Sequence, residues 1–223
     1  MPKPPSPERY PRSARTRLKR RPDRARYDVE AVHAALDAGL ICHVGYVIDG
    51  VPFVTPTSYW RDGDRLYWHG AAAGGMLKHQ QQGVPVCVAV THCDGIVLAR
   101  SAFHHSMNYR SVMAFGTAEP ITDAAEKRRQ LALFVDRVAA GRDAQVRAPT
   151  ARELRVTTVM ALKLDEVVLK VRSGPPKDDA ADMALPVWAG VLPVTTRIGQ
   201  PEPDPDLDPN ITMPKHLRRT PIN

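Results

Sequence analysis

Four residues invite a metal reading first: His92, Cys93, His104 and His105. Zinc sites are built from closely spaced ligand pairs at characteristic intervals. Here the imidazole and thiol are adjacent, and adjacent strand residues point to opposite faces. The same geometry separates His104 from His105, so neither pair is expected to ligate zinc or a haem iron. The plainer reading sends one histidine of each pair to a pocket and the other to solvent. Nucleophilic catalysis has no local motif either. Ser106 follows His105, but no G-x-S-x-G elbow surrounds it. Gly74-Gly75 lacks the spacing of a Walker loop or dinucleotide fingerprint.

Two segments say more. Tyr67–Lys78 (YWHGAAAGGMLK) runs from an apolar strand through small residues into a helical pattern. Small side chains let a ligand approach the backbone, and a helix start offers free N–H groups to an anion. His69 and Gly70 sit at the strand end and Lys78 just beyond the turn. The same segment also reads as a tight connection with no ligand. In Ser101–Thr117 (SAFHHSMNYRSVMAFGT), Arg110 enters an otherwise apolar strand between Tyr109 and Ser111. Such a charge is either paired or turned toward an anionic ligand.

The elements that must position these residues follow from periodicity. Asp28 is placed to cap a helix in which Val32, Ala35 and Leu36 recur at helical spacing until Gly39. Leu40–Ile48, the hairpin signal Asp49-Gly50, Val51–Trp60, a turn over Arg61–Asp64 and Arg65–His69 predict an antiparallel meander. A short helix is expected over Met76–Gln82, ended by Gly83. Val84–Thr91 reads as a strand buried on both faces, turned by Asp94-Gly95 into Ile96–Phe103. Tyr109–Ala118 is a further strand. Asp123 caps an amphipathic helix to Val138 with Leu131, Phe134, Val135 and Val138 as its stripe. Ala151–Arg155 adds a helical turn, and Thr157–Leu164 and Val167–Arg172 close the body. Six to eight short antiparallel strands with Asp-Gly turns favour a closed or nearly closed barrel over a doubly wound fold.

Charge and proline divide the 223 residues unevenly. Residues 1–26 hold ten Lys/Arg and two acids, so the arm is +8 and residues 27–223 sum to −1 within the overall +7. Ten of 21 prolines follow Gly174. The expected organisation is a basic arm over 1–26, a barrel domain over 27–174 and a Pro-rich extension over 175–223. Nucleic acid is disfavoured because the charge belongs to the arm and aromatic interleaving is sparse. No stretch approaches the roughly 18 apolar residues of a membrane span. The N-terminus lacks an apolar signal core, and Cys42, Cys87 and Cys93 are too few for a disulfide scaffold. A cytoplasmic location is the expectation.

Taken in order, Arg15–Asp28, Gly39–His43, Asp49–Ser58 (DGVPFVTPTS), Gly63–Gly70 (GDRLYWHG), Met76-Leu77, Val84–Thr91, Ser101–Thr117, the helix at 123–138 and Lys170–Pro176 (KVRSGPP) resemble the pyridoxamine 5′-phosphate oxidase-like flavoproteins. Within them the chain looks most like the 5-nitroimidazole resistance (Nim-type) branch. The resemblance covers about residues 12–195. It implies a mainly β (α+β) fold, an antiparallel six-stranded split β-barrel with a few peripheral helices. It also implies a homodimer with FMN at the subunit interface. Val54, Thr55, Pro56 and Thr57 would flank the isoalloxazine. His69, Gly70 and Lys78 would lie near the ribityl phosphate or ring edge. Asn108, Tyr109, Arg110 and Ser111 would come from the strand behind it, and Trp188 would cover a dimer site. Relatives carry a Ser-Arg or Arg-Lys pair where this chain has Gly74-Gly75. Lys78, the helix start or an arm residue must then replace that cation, or the ligand is a deazaflavin or haem.

The function expected is that of an FMN-binding oxidoreductase acting on a small molecule, with His69 as a candidate proton donor and His104, His105 and Asn108 around the substrate. The alternative is a flavin or haem binding and storage protein without turnover.

Overall fold

The computed structural model describes residues 8–215 and Leu217. The first seven residues of the basic arm, and residues 216 and 218–223 of the Pro-rich extension, lie outside the described residues. In chain order the strands are β1 (Ala25–Arg26), β2 (Ile41–Ile48), β3 (Val51–Asp62), β4 (Arg65–Ala71), β5 (Pro85–Leu98), β6 (Ser106–Thr117), β7 (Glu119–Pro120), β8 (Thr157–Lys163), β9 (Glu166–Arg172) and β10 (Gly190–Pro193). The helices are α1 (Val29–Asp37), α2 (Gly75–Gln80), α3 (Ala124–Val138) and α4 (Ala151–Val156). Strand neighbours run β1-β9-β6-β5-β2-β3-β4-β8-β7, with β10 beside β5. The order does not close on itself, as befits a split barrel. The mainly β class is as expected; ten strands are described, of which β1, β7 and β10 are short additions of two to four residues.

The chain divides into two compact units. The first comprises the described residues up to Pro56, Pro85–Gly116 and Leu164–Thr195; the second comprises Thr57–Val84, Thr117–Lys163 and the described residues from Thr196. In the first unit α1 packs on β9, and Val32, Leu36, Val44, Val88 and Val112 are buried. The β2–β3 turn is the expected one. Asp49 and Gly50 both take positive φ, 50° and 81°, which suits the twist of a two-residue hairpin.

Several expectations fail here, and the turn and the cap fail because a distant segment competes for the same groups. Asp94-Gly95 does not turn. β5 continues through it because β10 pairs with Leu98 back to Gly95. A Cβ on Gly95 would meet Val191 at 2.8 Å, so close approach, not a turn, is what the glycine serves. Ile96–Phe103 is correspondingly no separate strand; β5 ends at Leu98 and a 3₁₀ turn follows at Ala102–His104. Nor does Val84–Thr91 bury both faces: Val86, Val88 and Val90 are buried while Cys87 and Ala89 are half-exposed. Asp28 stands at the start of α1 without a side-chain capping bond; its carboxylate is 3.3 Å from Arg9 instead.

The described part of the arm is held against its own unit. Tyr10 N–H donates to Tyr27 O at 2.8 Å, Tyr27 Oη donates to Thr16 O at 2.8 Å, and Tyr10, Thr16 and Tyr27 are buried. Arg15 pairs with Glu166 and lies over the Phe115 ring.

In the second unit Trp60, Tyr67, Val159 and Ala161 form the core, with Ile121, Leu131, Leu133 and Phe134 packed on it. Trp60 and Tyr67 face each other across β3 and β4 and stack at 5.7 Å. α3 begins as expected, with Asp123 accepting from Glu126 N–H at 2.7 Å. Its stripe falls one residue short, for Val138 is exposed.

Candidate functional site

His69 is placed by the centre of β4, opposite Val159 of β8. Its ring meets Phe134 edge-on at 4.6 Å and Trp60 at 5.8 Å. Trp60 is fixed in turn by Gln130, whose Oε1 accepts the indole N–H at 2.8 Å. The imidazole borders a cavity of about 410 Å³ walled by Leu131, Ala132, Phe134 and Val135 of α3 and by Asp143, Val146, Arg147, Pro149 and Glu153. Arg147 and Glu153 form a bidentate pair at 2.8 and 2.6 Å. His69 Nδ1 is buried without a hydrogen-bond partner, and burial lowers the imidazole pKa. Burial therefore favours the neutral ring over the imidazolium. The neutral ring offers a lone pair or a neutral N–H rather than an imidazolium proton.

After His69 the chain turns tightly. A Cβ on Gly70 would meet Leu77 Cδ1 at 2.9 Å, so the absent side chain lets α2 fold back. α2 has only six residues, too few to present a developed dipole to a phosphate. Lys78 is exposed on it. Below the turn, Trp68 donates to Gln80 Oε1 at 3.0 Å.

In the first unit, the N-terminal half of β3 is open. Val54 is 68% exposed, with Val51 and Phe53 beside it and Ile41 and Val47 exposed on β2. Thr55 Oγ1 is 3.0 Å from Tyr46 Oη, Pro56 is exposed and Thr57, in the second unit, is half-buried. Trp188 is 63% exposed; its ring occupies the space a side chain on Gly190 would need.

On β6 the four candidates have separate partners. Arg110 forms a bidentate pair with Asp94 at 3.0 and 2.9 Å, which resolves its charge within the chain. Ser111 Oγ is 3.0 Å from Thr91 Oγ1. Tyr109 Oη accepts from Arg24 Nη1 at 3.4 Å and its ring lies 5.8 Å from Lys170 Nζ. Asn108 accepts from Arg172 and donates to Gly174 O at 3.2 Å. The sequence reading did not single out Lys170 and Arg172. Their i, i+2 spacing on a strand, which puts both cations on one face, was the available signal.

The histidines considered for metal are engaged separately. His92 Nε2 is 2.8 Å from Ala35 O, His105 Nδ1 is 2.9 Å from Ser101 O, and His104 Nε2 is 3.3 Å from the Asp179 carboxylate. Among the described residues no group of three His, Cys, Asp or Glu is placed to hold a metal ion.

The profile of the pyridoxamine 5′-phosphate oxidase family matches residues 28–171. Among solved structures, the flavocytochrome Anf3 from Azotobacter vinelandii is 46% identical, covering 92% of this chain and 95% of its own, with a TM-score of 0.88. The FAD and heme binding protein from Mycobacterium smegmatis is 38% identical, covering 87% and 96%, with a TM-score of 0.85. A protein assigned to 5-nitroimidazole antibiotic resistance in Bacteroides thetaiotaomicron is 24% identical over 66% of this chain and 86% of its own, with a TM-score of 0.56, a likeness of fold. A comparison with curated proteins gave no match. With the split-barrel sheet, these matches establish that the chain belongs to the pyridoxamine 5′-phosphate oxidase family of flavin-binding barrels.

Proposed function

We propose that the chain binds a flavin and serves a redox reaction on a small molecule. Family membership carries this reading, and the open apolar edge at Val54–Pro56 fits it. A flat aromatic ring system can lie on a strand whose side chains are exposed and apolar. A bound flavin supplies hydride or electron transfer; the protein supplies position and exclusion of water. FMN is the cofactor proposed, with FAD the form named for the Mycobacterium relative. Thr55, Pro56 and Thr57 would line the ring beside Val54. The exposed apolar residues of β2 and β3 favour a homodimer with the cofactor at the subunit interface. The finer branch is drawn toward the flavocytochromes, at 46% and 38% identity, rather than the nitroimidazole-resistance protein at 24%.

A second reading adds haem, and the His69 cavity favours it. The walls are largely apolar, and burial favours the uncharged imidazole that a metal ligand needs. His69 would be the ligand. The visible spectrum of the purified protein, with mass analysis of the released ligand, tests both. The visible absorption bands of an oxidised flavin are expected for a bound flavin. A Soret band lost in His69→Ala supports the haem reading. A colourless protein that takes up neither added FMN nor FAD overturns the flavin reading.

A further inference from the structure

Arg172 is only 9% exposed, yet no carboxylate among the described residues pairs with it. Its guanidinium reaches neutral oxygens instead. Nη1 donates to Asn108 Oδ1 and, at 3.4 Å, to Gly174 O; Nη2 donates to Pro175 O at 3.4 Å. Two of these three bonds are long, so donor capacity is left over. The charges that act on it make matters worse. Arg24 and Arg21 both repel it, and burial with that repulsion lowers its pKa. Asp23, the acid next to Arg24 in the arm, is held by Arg21 in a bidentate pair at 3.0 and 2.8 Å.

Other donors gather on the same side. Tyr109 is directly opposite Arg172 in the β6–β9 ladder. Arg24 Nη1 is 3.4 Å from Tyr109 Oη, and Lys170 Nζ is 5.8 Å from the Tyr109 ring. Buried charge is ordinarily paired, because desolvation without a counter-ion is costly. In this cluster of three cations around a phenol, the buried one, Arg172, has no carboxylate partner among the described residues. We propose that Arg24, Lys170, Arg172 and Tyr109 form a binding site for a phosphate group. Arginine forks match phosphate oxygens bidentately, and the lysine and phenol supply further donors. The four residues all belong to the first unit, with Arg24 contributed by the arm. The phosphate is that of the flavin, in which case the proposal rests on the flavin reading, or that of a separate phosphorylated ligand.

Titration of the full chain with riboflavin, FMN and FAD, read by flavin fluorescence, is paired with thermal shift in inorganic pyrophosphate. The variants are Arg172→Gln and, since Arg172 also holds the Asn108–Gly174 segment, the half-buried Arg24→Gln and Lys170→Gln. The wild type is expected to prefer FMN or FAD over riboflavin by about tenfold or more. In the variants that preference collapses while riboflavin affinity stays. Unchanged flavin affinities with pyrophosphate stabilisation lost in the variants also support the site and assign it to a second ligand. Variants that match the wild type in both measurements overturn it, as does a wild type with neither a phosphate preference nor pyrophosphate stabilisation. A chain that binds no flavin sinks the flavin reading alone, and the pyrophosphate arm still decides the site.

Discussion

Gln130 uses its whole amide. Oε1 accepts from Trp60, and Nε2 donates to Asp62 Oδ2 and Glu126 Oε1, each at 3.0 Å. The side chain is fully buried, so its loss leaves the Trp60 indole N–H without an acceptor inside the core. Gln130→Leu is expected to cost about 1–3 kcal/mol, the usual penalty for an unsatisfied buried donor. Urea unfolding followed by tryptophan fluorescence measures it; an unchanged midpoint contradicts the buried network. The residue scale is also where the sequence was least legible. Arg110 stands out in the sequence as a charge needing an explanation, but its partner Asp94 lies 16 positions earlier, in a segment whose Asp-Gly pair reads as a turn. Arg172 carries no local sign of burial, since Asn108, 64 residues away, provides the contact.

At the scale of elements, α3 shows how local signals succeed. Its cap, its length and most of its stripe were readable because all depend on residues within a few turns of each other. Its first turn also carries a pH response. Glu126 is held at about 2 by hydrogen bonds from Arg129 and Gln130, against an unfolded value near 4.5. A depressed carboxylate stabilises the fold above its unfolded pKa, and that contribution is lost as pH falls through the folded one. Glu126 is mostly solvated, so the share is small. Glu126→Gln is therefore expected to lower the melting temperature slightly at pH 7 and to flatten its fall between about pH 4.5 and 2, where variant and wild type converge. Asp123→Ala removes the cap and is expected to cost about 1 kcal/mol at neutral pH, read by thermal unfolding. A loss as large at pH 2 as at pH 7 for Glu126→Gln rejects the assignment. β5 shows how local signals fail: Asp-Gly is a strong turn signal, and only β10, almost a hundred residues later, overrides it.

For the whole molecule, the exposed apolar face of β2 and β3 makes the most direct prediction. Val54 is so exposed that Val54→Asp leaves the fold intact. If this face is the homodimer interface, the variant elutes as a monomer in size-exclusion chromatography, carries less flavin and keeps its circular dichroism. An unchanged elution volume removes Val54 from the interface. The late arrival of β10 has a consequence for synthesis. Until residues 190–193 leave the ribosome, the stretch of β5 from Gly95 to Leu98 is a bare edge with unmet hydrogen-bonding groups. Bare edges template association between chains. A nascent chain stalled or cleaved before Gly190 should therefore be the aggregating species, even though most of its barrel strands have already been made.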